Sequence, residues 1–229
     1  HNLVERGREM YSAVLYKEDF LKIKKMVKPY RKKLERALER CNRQLLELKR
    51  ECETYQILET LGGFSIALMN VMGEMENYLE ELEDGETRKE ILEFYFQIRS
   101  FLYIYDLLDE NYVMYTQHEE DGRFRVKLYC VNPAVNLQRC LDKGCSAVFF
   151  SATLLPVGYY KRLLSGRADD YAIYAHTPFA PEQKRVLLGR DVSSRYTRRG
   201  PEEYGRIAEY IDQVAQARVG NYMIFFPSY

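Results

Sequence analysis

Apolar residues recur at alternating spacings of four and three along the first half of the chain, and most intervening positions are charged. The longest run predicts one helix over residues 29–60, with an apolar seam made of Leu34, Leu38, Cys41, Leu45, Leu48, Cys52 and Tyr55. A 4-3-4-3 spacing places such residues on one face of a helix. Gly62 and Gly63 follow the run and indicate where the helix ends.

Two more helices are predicted in the same half of the chain. One spans about residues 64–82, and the next begins near Thr87 and repeats the 4-3 spacing in Ile91, Tyr95, Ile98, Leu102 and Tyr105. Thr87 and Glu90 have the spacing of a capping box. Because short connections make neighbouring helices antiparallel, residues 17–111 are predicted to form an antiparallel helical bundle.

The second half of the chain has a different pattern. Tyr112–Gln117 and Arg123–Val131 predict a hairpin around the turn sequence Asp121-Gly122. Further strands are predicted at 147–150, 171–175, 185–188 and 222–226, alternating with helices at 133–143, 157–164 and 201–218. Alternating strands and helices are typical of a mostly parallel α/β sheet. The predicted fold class is therefore mixed, a helical bundle followed by part of an α/β domain.

Composition narrows the class of protein. Lys+Arg and Asp+Glu both number 34, so the chain lacks the strong basic excess that marks many nucleic-acid binders, although a local basic groove stays possible. The five cysteines are odd in number and show no C-x-x-C spacing, which argues against a disulfide framework or a zinc ribbon. No apolar stretch approaches about 20 residues, so a cytoplasmic protein without a membrane partner is expected.

The first candidate for chemistry is the segment Ser151-Ala152-Thr153, which follows an apolar run. In an α/β sheet, ligands bind at the carboxyl ends of strands, where small hydroxyl residues bond carboxylates, waters or phosphates. The simpler interpretation is a turn in which the hydroxyls cap the next helix, and spacing alone favours that turn. A serine-hydrolase role for Ser151 is disfavoured because the segment lacks G-x-S-x-G.

The second candidate is a basic stretch, Arg195-Tyr196-Thr197-Arg198-Arg199. Arg195, Arg198 and Arg199 are candidate DNA-backbone contacts, since cations and an aromatic ring combine there. An ordinary solvated surface is the competing interpretation. The sequence contains no glycine-rich phosphate loop of either common type.

Several segments, in order, resemble the XPD/DinG-like iron–sulfur helicases of superfamily two. His1-Asn2-Leu3 is similar to the end of the family's D-E-A-H box, and Ser151-Ala152-Thr153-Leu154 is similar to its motif III. The stretch 220–229 resembles motif IV, and His176-Thr177-Pro178-Phe179 resembles a stretch that the family has between these two motifs. Each motif is common by itself, and their order is the more specific feature.

The resemblance implies a role for each matched residue. His1 would relay between the phosphate site and motif III, and Ser151, Ala152 and Thr153 would couple hydrolysis to strand movement. Ser228 and Tyr229 would lie near the DNA backbone. The parent enzyme would use ATP and Mg²⁺ to move along single-stranded or forked DNA, usually 5′ to 3′, in DNA repair or replication.

The resemblance also implies a division of the chain. Residues 1–16 would end a first segment of a RecA-like motor lobe, and 17–111 would be the Arch domain inserted into it. Residues 112–180 would complete that lobe, and 181–229 would be a linker and the start of the second lobe. The phosphate loop and the cysteines of the 4Fe-4S cluster would lie upstream of His1, so this chain alone is expected to lack ATPase activity.

A non-enzymatic alternative stays open at the level of sequence. A helical bundle with an α/β cap is also typical of a module that docks a protein partner. Its apolar seams would then face solvent until the partner covers them. A D-E-A codon triplet directly before His1 in the reading frame would favour the helicase.

Overall fold

The computed structural model describes residues 3–167 and 169–226. The chain divides into two compact units, His1–Ala172 and Ile173–Tyr229, and each is described by itself. The first unit contains seven helices and four strands in its described residues: α1 Leu3–Met10, β1 Ala13–Tyr16, α2 Lys17–Val27, α3 Lys32–Glu51, β2 Tyr55–Leu58, α4 Phe64–Glu81, α5 Glu86–Tyr105, β3 Tyr112–His118, β4 Phe124–Cys130, α6 Ala134–Leu141 and α7 Val157–Leu164. The second contains α8 Pro201–Ala217 and two short 3₁₀ turns.

Helices α2 to α5 form a four-helix bundle with a continuous apolar core. Each helix packs on the next, and α2 also contacts α5, so the bundle closes on itself. The predicted seam residues Leu34, Leu38, Cys41 and Leu45 are at most 1% exposed. Phe20 lies among them and meets Phe94 edge to face, with ring centroids 4.9 Å apart. The helical part of the predicted mixed fold is thus present, although the range 17–111 also contains strand β2.

The prediction for the end of the long helix was wrong. Helix α3 stops at Glu51, and Cys52 already has an extended backbone with φ −95° and ψ 114°. Tyr55, assigned to the helical seam by its spacing, instead begins β2 and pairs with Gln117. Hydrogen bonding to β3, which lies about sixty positions later in the chain, outweighs the local helical pattern here.

The predicted capping box is also absent from α5. The residue before the helix is Gly85, which has no side chain that could cap it, and Thr87 lies inside the first turn. Glu90 points to α2 instead, where its carboxylate pairs with the Lys22 ammonium at 2.6 Å. The side chain that would have closed the cap therefore joins two helices of the bundle.

The sheet has the strand order β1-β4-β3-β2, with antiparallel pairing throughout. The predicted hairpin is confirmed as β3 and β4, and Gly122 supplies the positive φ of +84° that its turn requires. Leu15, Val126 and Leu128 lie on the face of the sheet that packs on the bundle, and all are at most 1% exposed. The sheet and the four helices share one core.

The expected parallel sheet is not present within residues 3–167 and 169–226. The runs at 147–150, 171–175, 185–188 and 222–226 contain no strand in the part of the chain that the structure describes. A short apolar run becomes a strand only when a neighbouring strand satisfies its backbone groups, and none of these runs has one among the described residues. The predicted helices at 133–143, 157–164 and 201–218 are confirmed as α6, α7 and α8.

Candidate functional site

Ser151, Ala152 and Thr153 lie in an exposed turn ahead of α7. The Ser151 Oγ lies 3.0 Å from the Thr153 Oγ1, and it accepts a hydrogen bond from the Thr153 backbone N–H at 3.2 Å. A hydroxyl that bonds a backbone amide two residues later is a local turn motif. The side chains are therefore preordered by each other and face solvent, which leaves room for a ligand to approach them.

The other predicted site residues fall into two groups. His1, Ser228 and Tyr229 lie outside the described residues. Arg195, Arg198 and Arg199 belong to the second compact unit, whereas the Ser151 segment belongs to the first. The geometry of the Ser151 segment and that of the three arginines are therefore described one at a time.

Arg198 has a structural partner within the second unit. Its guanidinium donates to the Glu203 carboxylate at 3.0 Å, and Arg206 donates to the same oxygen at 2.6 Å. Burial opposes ionisation of Glu203, but the backbone N–H of Ser193 and the two guanidinium groups outweigh it, and the pKa of Glu203 is lowered. A second Arg198 bond, to the Asp191 carbonyl at 3.2 Å, fixes the side chain further.

The two neighbouring arginines differ from Arg198. The Arg199 guanidinium lies over the Tyr196 ring, 5.3 Å from its centroid, and donates to the Ser194 carbonyl at 3.4 Å. Arg195 is exposed. Arg195 and Arg198 are both exposed, but Arg198 is paired with an internal carboxylate.

A cavity of about 490 Å³ lies between the start of α6 and the end of α7. Sequence analysis did not single out its basic lining residues, Lys161, Arg162 and Arg167. Arg167 pairs with Asp142 at 2.6 Å, and the Lys161 ammonium donates to the Asp170 carbonyl. The single proton of the Ser165 hydroxyl is shared between the Gln138 amide oxygen, 3.0 Å away, and the Asp170 carboxylate. These internal partners account for most of the polar lining.

The cysteines do not form a metal-binding centre in the described residues. Burial raises the pKa of Cys41 to about 12, so its thiol stays protonated near neutral pH. The hydrogen bond between the Tyr11 hydroxyl and the Cys140 sulfur, 3.2 Å long, is the largest cause that raises the pKa of Tyr11 to about 12. Within residues 3–167 and 169–226, no three His, Cys, Asp or Glu side chains converge as metal ligands would.

The residues present do not fit the nucleotide or the iron–sulfur cluster that the helicase resemblance implies. Ser151 and Thr153 are the matched hydroxyls, but no phosphate loop accompanies them in the sequence. Cys41, Cys52 and Cys130 are each buried, and Cys140 and Cys145 are exposed. In the described part of the chain these thiols do not meet as a set of four, as cluster ligation requires.

No protein-family model matches the chain, and a search of curated proteins gives no match. Across residues 3–167 and 169–226, none of the helices combines the length and apolar character needed to cross a membrane.

Proposed function

We propose that the chain is part of an XPD/DinG-like ATP-dependent DNA helicase that acts in DNA repair or replication in the cytoplasm. In this proposal, the bundle α2–α5 is an Arch-like insertion and Ser151-Ala152-Thr153 is the coupling motif of a RecA-like lobe. The enzyme moves 5′ to 3′ on single-stranded DNA. ATP, Mg²⁺ and a 4Fe-4S cluster are held by segments other than this chain.

The observation that carries the proposal is the order of the parts. A closed four-helix bundle stands ahead of the Ser151 turn, and a separate compact unit follows it and includes the run 222–226. The resemblance implies the same order, with an insertion before motif III and a second lobe after it. The order is more specific than any one of the short motifs.

Exposed apolar runs give a second, physical support. Phe150 is 89% exposed, Ile173 is 89% exposed and Phe225 is 83% exposed. Each lies in a run whose β-branched and aromatic residues predict a buried strand. Apolar surface of this kind is normally covered by another part of a protein. In this proposal, neighbouring strands of a complete RecA-like sheet cover these exposed runs.

The closed bundle weakens the alternative of a helical interaction module. That alternative needs seam residues that face solvent until a partner helix arrives. Leu38, Cys41 and Leu45 are instead 0% exposed, because the other helices of the same bundle cover them. The seam is therefore used inside the chain, and the helicase proposal is the better supported of the two.

The test is the ATPase activity of the whole protein encoded by the reading frame that contains this chain. Hydrolysis is expected to be stimulated by single-stranded DNA and to fall in Ser151→Ala and Thr153→Ala. The control Ser100→Ala removes an exposed hydroxyl from α5 and should leave the rate unchanged. The 229-residue chain by itself should not hydrolyse ATP, and robust turnover that Ser151→Ala abolishes would refute that expectation.

A further inference from the structure

The sheet has a second face that turns away from the shared core. Side chains alternate between the two faces of a strand, so the register assigns ten side chains to this side. Four of them are Val14, Ile57, Val113 and Gln117, and the other six are aromatic or basic: Tyr16, Tyr55, Tyr115, Arg125, Lys127 and Tyr129. We call these six residues the open sheet face. Lys127 stands opposite Tyr115, and Arg125 stands between Tyr16 and Gln117. Each of the two basic side chains therefore has an aromatic neighbour on an adjacent strand.

The open sheet face takes no part in the core of the first unit. None of its four tyrosines belongs to the buried cluster or to the half-buried residues packed against that cluster. On the opposite face, by contrast, Leu15, Val126 and Leu128 are at most 1% exposed. Tyr55 is 69% exposed, and the other five side chains are partly exposed. The Tyr55 ring is therefore available for contact from outside, whereas a cation lies over the rings of Tyr16, Tyr115 and Tyr129.

Its cations are held against aromatic rings. The Lys127 ammonium lies 5.1 Å from the Tyr129 ring centroid, and the Arg125 guanidinium lies 5.8 Å from that of Tyr115. Arg125 is further fixed by a 2.6 Å hydrogen bond to the Gln117 amide oxygen and a 2.6 Å ion pair with Glu119. Such contacts already restrict the rotamers of Arg125 and Lys127, so these side chains lose less conformational entropy when a ligand binds.

The charge of the face is positive at its centre. Arg123 and Arg125, near the hairpin turn, pair with Asp121 and Glu119. Among the described residues, no carboxylate lies within salt-bridge distance of Lys127, which stands in the middle of β4. A polyanion that crosses the sheet would therefore meet a cation without having to displace an internal carboxylate.

We propose that the open sheet face binds single-stranded nucleic acid, with bases stacked on the tyrosine rings and the backbone near Lys127. Aromatic rings stack on any base, and a four-stranded antiparallel sheet offers room for two or three bases. Lysine is depleted from the centres of protein–protein interfaces, so a lysine beside the rings of Tyr115 and Tyr129 favours a nucleic acid over a protein partner. This surface deepens the proposed helicase function by adding a strand contact that needs no ATP.

The test is fluorescence anisotropy of a labelled oligothymidylate titrated with the 229-residue chain. Tyr55→Ala is expected to weaken binding by about 5- to 150-fold, since it removes one stacking ring. Tyr55→Phe keeps the ring and should bind like the native chain. The matched control is Tyr30→Ala, because Tyr30 is 72% exposed but lies between α2 and α3 rather than on the sheet.

Salt dependence tests the role of the cation. Lys127→Gln is expected to reduce the slope of log affinity against log salt by about 0.7, the value for one phosphate contact on a single strand. The control Lys28→Gln removes an exposed lysine near the end of α2 and should leave the slope unchanged. Melting curves of each variant show that the fold is retained.

Three results overturn the proposal: no binding of the oligonucleotide, equal losses in Tyr55→Ala and Tyr30→Ala, or equal affinity for polyglutamate. The last result would assign the face to acidic peptides. Failure here is distinguishable from failure of the helicase proposal. DNA-stimulated ATPase in the whole protein without oligonucleotide binding by the chain rejects only the face. Tyrosine-dependent binding without ATPase in the whole protein rejects only the helicase.

Discussion

Truncation of Leu38 tests the corrected description of α3. If one helix extended through residue 55, as its apolar spacing predicts, Leu38 and Tyr55 would be equivalent core positions. The structure instead makes Leu38 0% exposed inside the four-helix core and Tyr55 69% exposed on β2. The two truncations Leu38→Ala and Tyr55→Ala should therefore have very different effects on stability.

The magnitude follows from burial. Leu→Ala in a core that cannot collapse costs about 2–5 kcal/mol, from lost transfer free energy and from the cavity left behind. At about 3 kcal/mol, a unit of this size loses roughly 6–12 °C in Tm. An exposed residue at a sheet edge contributes mainly through cross-strand contacts, so Tyr55→Ala should cost only about 0.2–1 kcal/mol.

The assay is urea unfolding of the chain and both variants, followed by far-UV circular dichroism at several wavelengths to check that the transitions coincide. Leu38→Ala should shift the midpoint strongly and Tyr55→Ala weakly, with similar m-values. Equal shifts for the two variants would refute the assignment of Tyr55 to β2 and restore the continuous helix.

Three further predictions concern the turn, the acid network and the thiols. Gly122→Ala should destabilise the first unit by about 1–2 kcal/mol, because the φ of Gly122 is +84°. Gly73→Ala in α4 should stabilise it by about 0.5–1 kcal/mol. The urea midpoints of the two variants should therefore shift in opposite directions. The pKa of Glu203 is lowered in the folded chain, so its ion pairs stabilise the fold above pH 4.5, the ordinary pKa of a glutamate, and are lost as pH falls through the folded-state pKa. The Ser193 amide, which donates to Glu203, should therefore report a titration below pH 4.5 in its NMR resonance. The variant Glu203→Gln should show no such titration. Iodoacetamide should alkylate the exposed thiols at 140 and 145 before denaturation and the buried thiols at 41, 52 and 130 only after it, as mass spectrometry would reveal.

Local patterns were enough to predict most helices of this chain. Helix α7 has the predicted bounds Val157–Leu164, and α4 ends one residue before the expected position. Their apolar spacing and their flanking Gly or Pro residues are local signals. The hairpin of β3 and β4 was predictable for the same reason, since Asp121-Gly122 joins two strand-like runs.

Long-range pairing explains what local patterns missed. Strand β1 has only four residues, and its pairing with β4 joins positions more than 100 apart in the chain. Tyr55 fitted the helical spacing, and its pairing with Gln117 overrode that spacing. The four runs predicted as parallel strands show the opposite case, since suitable residues do not form a strand without a neighbour.

The candidate site was predictable to a similar extent. The hydroxyls of Ser151 and Thr153 were identified from the sequence, and a turn is present there. The expected capping of the next helix is not, because the N-cap of α7 is Pro156 and has no side-chain hydrogen bond. The internal partner of Arg198 was not visible, because Glu203 lies five residues later and reaches it only through the turn that the chain makes before α8. Alternation of Arg125, Lys127 and Tyr129 along β4 can be read from the sequence. The tyrosines beside them come from three other strands and required the register.

Unwinding of tailed duplexes by the whole protein tests the central claim most directly. Two DNA duplexes that differ only in carrying a 5′ or a 3′ single-stranded tail are incubated with the enzyme, ATP and Mg²⁺. The account predicts ATP-dependent strand separation of the 5′-tailed duplex, with little separation of the 3′-tailed one. Absence of unwinding on both substrates, by a folded protein, would contradict the assignment of this chain to a helicase.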